Sequence, residues 1–81
     1  MSIIDTIDRL ARTFILPLND KLTDVEVWES VLARDTFVVQ FVYVGDLTPK
    51  ERDECSKEMR SLFKMISPKI GETIRVAFWK D

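Results

Sequence analysis

The sequence predicts an α+β fold, a two-layer αββαβ sandwich with two helices packed on one face of a three-stranded sheet. Three observations carry that prediction. Residues 37–44, FVVQFVYV, are apolar at every position but Gln40, so a strand made of them needs cover on both faces. Two stretches, 3–15 and 49–66, repeat apolar residues at helical spacing, and two others, 25–32 and 73–79, alternate as strands do. No linker, repeat or low-complexity tract divides residues 1–81, which read as a single small α+β domain.

The first helix begins after Ser2, which offers a cap, with Asp5 placed favourably in the first turn. Ile3, Ile7, Leu10 and Phe14 mark its apolar face, and Asp5–Arg9 and Asp8–Arg12 are i,i+4 pairs on the other side, each worth about 0.2–0.5 kcal/mol. Pro17 ends it, because proline lacks an amide hydrogen and disfavours a helical residue before it. Residues 18–23 are a connector.

Strand one spans 25–32, with Val25, Val27 and Val31 on one side and Glu26, Trp28, Ser30 and Leu32 on the other. Ala33-Arg34-Asp35-Thr36 is a polar break of hairpin length leading into strand two. Gly45-Asp46 ends that strand. Thr48-Pro49-Lys50-Glu51 then carries the parts of a capping box: a hydroxyl that accepts from the first turn, a proline where no donor is needed, and a glutamate that reaches back. The second helix follows with the stripe Cys55, Met59, Leu62, Phe63 and Ile66, and Ser67-Pro68 stops it. Gly71 permits a turn before strand three, where Ile74, Val76 and Phe78 alternate with Arg75, Ala77 and Trp79. The passage from strand two through helix two to strand three is expected to be a right-handed crossover.

Choosing the more apolar side of each strand predicts a core of Val25, Val27, Val31, Phe37, Val39, Phe41, Tyr43, Ile74, Val76 and Phe78, facing Ile7, Leu10, Phe14, Cys55, Met59, Leu62 and Phe63. The second face is left with Glu26, Trp28, Ser30, Val38, Gln40, Val42, Arg75, Ala77 and Trp79, and no predicted element covers it. A one-residue slip of strand two would exchange the two sets and expose Phe37, Phe41 and Tyr43 instead. Trp28, Val38, Gln40, Val42, Arg75 and Trp79 are the candidate protein-binding residues, since Trp and Arg commonly anchor interfaces. The alternative is that the tryptophans tuck against loops or helix ends.

Composition sets the classes of function that the residues support. A net charge of −2 gives no overall positive field for nucleic acid, although seven acids face four bases in 1–35 and seven face eight in 36–81. One cysteine makes no internal disulfide, and neither a signal-peptide pattern nor an apolar run of about 20 residues is present, so the expectation is a soluble, cytoplasmic chain. Histidine is absent, which removes the usual Ser-His and Cys-His nucleophile arrangements and the commonest metal ligand. Cys55 falls in the apolar stripe of helix two and reads as structural, and the two glycines make no phosphate-binding loop. The acids Asp5, Asp8, Asp53, Glu54 and Glu58 fit solvated helix faces. No catalytic, cofactor-binding or metal-ligating residue is assigned, and the chain is not expected to be an enzyme.

Lys50, Lys57 and Lys64 recur every seven residues on helix two beside Arg60, so Lys57, Arg60, Lys64 and Lys69 are candidate phosphate contacts. A solvated face competes with that reading, because Asp53 sits one turn before Lys57 and Glu51, Glu54 and Glu58 dilute the ridge. The element order, with TDVEV at Thr23–Val27 and a closing aromatic strand, resembles the type II KH arrangement of the bacterial ribosome-binding factor A family. That resemblance implies contact with RNA or the ribosome. Members of the family are more basic and carry a second helical segment after a small-residue kink, where this chain has Ser67-Pro68-Lys69-Ile70-Gly71. The order is also similar to the dimerisation domain attached to cation-efflux transporters, whose metal-binding histidines this chain lacks.

The leading expectation is a small protein-interaction module, an adaptor, regulatory subunit or phage or bacterial inhibitor, that binds protein through the exposed sheet face as a homodimer. The alternative is a KH-like RNA- or ribosome-associated factor that uses the basic residues named above, with Arg34 and Arg75, for phosphates.

Overall fold

A computed structural model of the protein describes residues 2–81, apart from the side chains at 70–72. Strands β1 (Leu22–Glu29), β2 (Phe37–Tyr43) and β3 (Ile74–Lys80) form a mixed sheet in the order β1-β2-β3. The hairpin pair β1/β2 is antiparallel and β2/β3 is parallel, so the most apolar strand is the central one. Helices α1 (Ile3–Leu10) and α2 (Pro49–Ile66) pack on one face, and a short helix α3 (Pro68–Thr73) leads into β3. The αββαβ sandwich expected from the sequence is the observed architecture, with α3 added.

Strand β2 decides which face is inner. Phe37, Val39, Phe41 and Tyr43 are buried, while Val38, Gln40 and Val42 are half-buried. The alternation places the larger side chains under the helices, where Phe41 stacks on Phe78 at 6.1 Å between ring centroids and Ile7, Met59 and Phe63 close over them. The slipped register, with the aromatics outside, is not the one adopted.

Helix α1 is capped as expected, Ser2 Oγ accepting from the Asp5 amide at 3.1 Å. It does not continue as an α-helix to Ile15. Residues Ala11–Ile15 form a π turn and Leu16–Leu18 a 3-10 turn that contains Pro17. The π turn has one residue more per turn, so Ile7, Ala11 and Ile15, each four apart, stay on the core side. Phe14, which a regular helix would bring beneath Ile7, is instead 54% exposed. Its assignment to the core is corrected to Ala11 and Ile15.

Strand β1 starts three residues earlier than the alternation indicates and ends at Glu29. The register shifts between Leu22 and Asp24, and this bulge lets Leu22 and Val25 both point inward although they are three apart. The hairpin connection is therefore longer than the tetrapeptide expected. Val31 and Leu32, at 97% and 94% exposure, lie in the loop, so Val31 is not a core residue. The Ser30 amide donates to Thr36 O at 2.8 Å to close the loop, and Asp35 takes a positive φ of 53°, which Asp tolerates better than most residues.

Helix α2 begins with both halves of its capping box formed and buries Cys55, Met59 and Phe63, with Leu62 packed beside them. Ile66 is exposed, because the last turn of α2 runs past the edge of the core, and it leaves the apolar stripe. Pro68 does two jobs: it stops α2 and occupies the first position of α3, so helix follows where Gly71 indicates a turn. Leu47, in the connection after β2, completes the core.

Candidate functional site: the uncovered sheet face

The site is built by the register of the three strands. Trp28, Val38 and Arg75 form one row across the sheet; Glu26, Gln40 and Ala77 form the next; Asp24, Val42 and Trp79 form the third. Every candidate protein-binding residue lies on this one face. Of the nine residues assigned to it from sequence, only Ser30 falls outside, in the loop beyond β1. Asp24 replaces it at a corner; it shares the parity of Glu26 and Trp28 but stands one residue before the strand start that the alternation indicates.

No helix of the described residues crosses this face, since both packed helices lie with the core on the other side. Trp28 is 39% exposed and Trp79 62%, so neither is tucked away. Val38, Gln40, Val42 and Ala77 are half-buried by their neighbours alone. The flanks carry opposite charges, Glu26 on β1 and Arg75 on β3, and neither makes an ion pair or side-chain hydrogen bond among the described residues.

Two polar clusters hold the strands and α2 in place. Arg12, from the π turn, donates to Asp8 Oδ2 at 3.0 Å, to Asp24 Oδ1 at 2.8 Å and to the Val25 carbonyl at 2.8 Å. It thereby occupies a carbonyl on the free edge of β1. Asp24 titrates below the usual carboxylate range, because its carboxylate accepts from the Val25 amide and from Arg12. The Arg12 guanidinium, bonded to Asp8 and Asp24, is shifted up. In the second cluster Glu51 accepts from Lys21 Nζ at 2.7 Å, from Asn19 Nδ2 at 2.6 Å and from the Thr48 amide at 3.2 Å. Those bonds, Lys21 foremost, lower its carboxyl to about 2.

The basic candidates are only partly gathered. Lys57, Arg60 and Lys64 line a shallow groove of about 590 Å³ along α2, but Asp53 shares it. Arg60 and Arg75 meet at a smaller cavity of about 260 Å³ with Thr36 and Thr73. Lys69, on α3, lines neither, and Arg34 stands exposed in the hairpin loop. The Asp53–Lys57 ion pair expected from the sequence is not formed.

Cys55 forms part of a more apolar cavity of about 340 Å³ between the π turn and α2, lined also by Ile15, Leu18 and Leu22 with Glu54 and Glu58 at its edge. Burial raises the thiol to about 11, which keeps it protonated and unreactive near neutral pH. Among the described residues no three His, Cys, Asp or Glu side chains are grouped to hold a metal ion, and no helix is long and apolar enough to cross a membrane. Protein-family models, curated proteins and solved structures contain no match to this chain.

Proposed function

We propose that the chain is a small, cytoplasmic, non-enzymatic protein-interaction module, an adaptor, regulatory subunit or inhibitor, that binds protein through the outer face of its sheet. One observation carries this reading. Two exposed tryptophans, two valines and an alanine share a sheet face that no described element covers, beside only Gln40 and a few charged groups. The largest apolar patch on a protein surface is often a functional one.

The magnitudes set the kind of binding. At 39% and 62% exposure the tryptophans together leave about one whole indole side chain in water, roughly 250 Å² and about 6 kcal/mol if buried. Association costs about 4–15 kcal/mol in lost freedom before any gain appears. The indoles alone therefore give no tight complex, and Val38, Val42 and Ala77 must be buried with them.

The second reading, a KH-like RNA- or ribosome-associated factor, is favoured by one specific feature. Helix α3 follows α2 across Ser67-Pro68, and a helix pair at that place is what the resemblance to the ribosome-binding factor A family calls for. Lys57, Arg60, Lys64 and Lys69, with Arg34 and Arg75, would meet phosphates.

Light scattering over a concentration series, at low and high salt, separates the two when run on the wild type, Trp28→Ala and Lys57→Gln/Lys64→Gln, with and without single-stranded RNA. Protein association that survives high salt and disappears in Trp28→Ala supports the sheet-face reading. RNA binding that weakens steeply with salt and needs Lys57 and Lys64, with no effect of Trp28→Ala, replaces it with the second.

A further inference from the structure

The outer face has an uncharged middle strand between flanks of opposite charge. Its middle strand, β2, presents Val38, Gln40 and Val42, all uncharged. Each of them tolerates its own image: valine packs on valine, and an amide both donates and accepts, so Gln40 satisfies Gln40. The charges stand to either side and are opposite in sign, Glu26 on β1 and Arg75 on β3, both exposed and without a partner among the described residues.

We propose that the occupant of this face is the same face of a second copy, related by a two-fold axis that runs along β2. The inference rests on the sheet-face reading above and names its partner. Such an axis keeps the rows and exchanges the flanks, so β1 of one copy lies on β3 of the other. Trp28 then meets the guanidinium of Arg75 in the partner copy, a cation–π pair made twice. Glu26 comes one row from that same Arg75, and Trp79 lies over Asp24, whose charge Arg12 already balances. A two-fold axis across the strands would instead set Glu26 against Glu26 and is disfavoured by like-charge repulsion. The charges fix the orientation, while the apolar rows supply the attraction.

Two experiments test the arrangement. In the first, Arg75→Glu and Glu26→Lys are prepared separately and mixed, and the species are read by native mass spectrometry. Each variant alone sets like charges together and dimerises at least tenfold more weakly than wild type; the equimolar mixture recovers a dimer holding one chain of each. In the second, Val38→Cys in a Cys55→Ala background is treated with a short bis-maleimide. Sheets packed face to face lie about 10 Å apart, beyond disulfide reach but within that of the linker. Rapid cross-linking of Val38→Cys to itself is expected, with circular dichroism showing that each variant is folded.

A mixture no better than its components, or a Val38→Cys chain that links only to Val42→Cys, overturns the axis. A wild type that stays monomeric to millimolar concentration overturns the second copy as occupant and leaves the face to a different protein. A dimer that survives both Trp28→Ala and Trp79→Ala overturns this inference and the sheet-face reading together.

Discussion

Lys21 donates to Glu51 at 2.7 Å across thirty residues of sequence, and the same ammonium donates to the Asp46 carbonyl at 2.7 Å. One carboxylate thus ties the connector before β1, the loop after β2 and the first turn of α2. The pair is a structural knot at the edge of the sandwich, remote from the sheet face.

Acid should undo this knot. The Glu51 carboxyl is lowered to about 2 from an ordinary value near 4.5, so its contribution to stability is complete above the unfolded value and is lost as pH falls through the folded one. Stability should decline between about pH 5 and pH 2, and Glu51→Gln should flatten that part of the profile. Urea unfolding at pH 3 and pH 6 on both proteins reads the difference; parallel profiles would remove Glu51 as a source of the acid sensitivity.

The cap residue next to it is separable. Thr48 Oγ1 accepts from the Glu51 amide at 3.2 Å, and Thr48→Ala should cost about 1 kcal/mol of unfolding free energy. The double change with Glu51→Ala should cost less than the sum of the two single changes, because both side chains belong to one capping box.

The π turn makes a prediction that a regular helix reverses. Ile15 is 2% exposed and Phe14 54%, so Ile15→Ala should cost about 2–5 kcal/mol and Phe14→Ala under about 1 kcal/mol. Equal costs, or a larger one at Phe14, would mean that α1 runs on without the wide turn.

Cys55 should report on opening. Its thiol is raised to about 11 by burial, which contributes stability that is complete below the unfolded value near 9 and lost as pH rises through 11. Modification by an aromatic disulfide reagent at pH 8 should therefore be slow and should accelerate with urea in step with unfolding. Fast reaction of the native protein would place the thiol at the surface of its cavity.

Much of this architecture is legible in the order of side chains, for reasons that differ by element. Seven apolar residues among the eight of 37–44 require a central strand, and Thr48, Pro49 and Glu51 mark a helix start by chemistry that needs no tertiary context. The sheet face was legible too, because the period of two along β2 and β3 is unbroken. What escaped were departures from period. The bulge at Thr23 reversed the parity of Leu22, and the π turn exchanged Phe14 for Ile15. Val31 kept the alternation of β1 into a loop where alternation has no meaning, and Leu47 is buried by its place in a connection that has no period to read. Pro68 signals a stop in the sequence, although the same missing amide suits the first turn of a helix.

The central position of β2 has one more consequence, for the history of each molecule. Residues 37–43 have no charge, proline or glycine and are rich in β-branched and aromatic side chains, the composition of segments that stack into cross-β fibrils. The native sheet shields both backbone edges of that segment, one by β1 and the other by β3. The partner at the first edge is the adjacent strand of the hairpin, whereas β3 lies beyond α2 and α3 in the chain. A chain in which Ile74–Lys80 has not docked leaves that edge open to pairing with another strand, so β3 closes the core and guards the central strand at once.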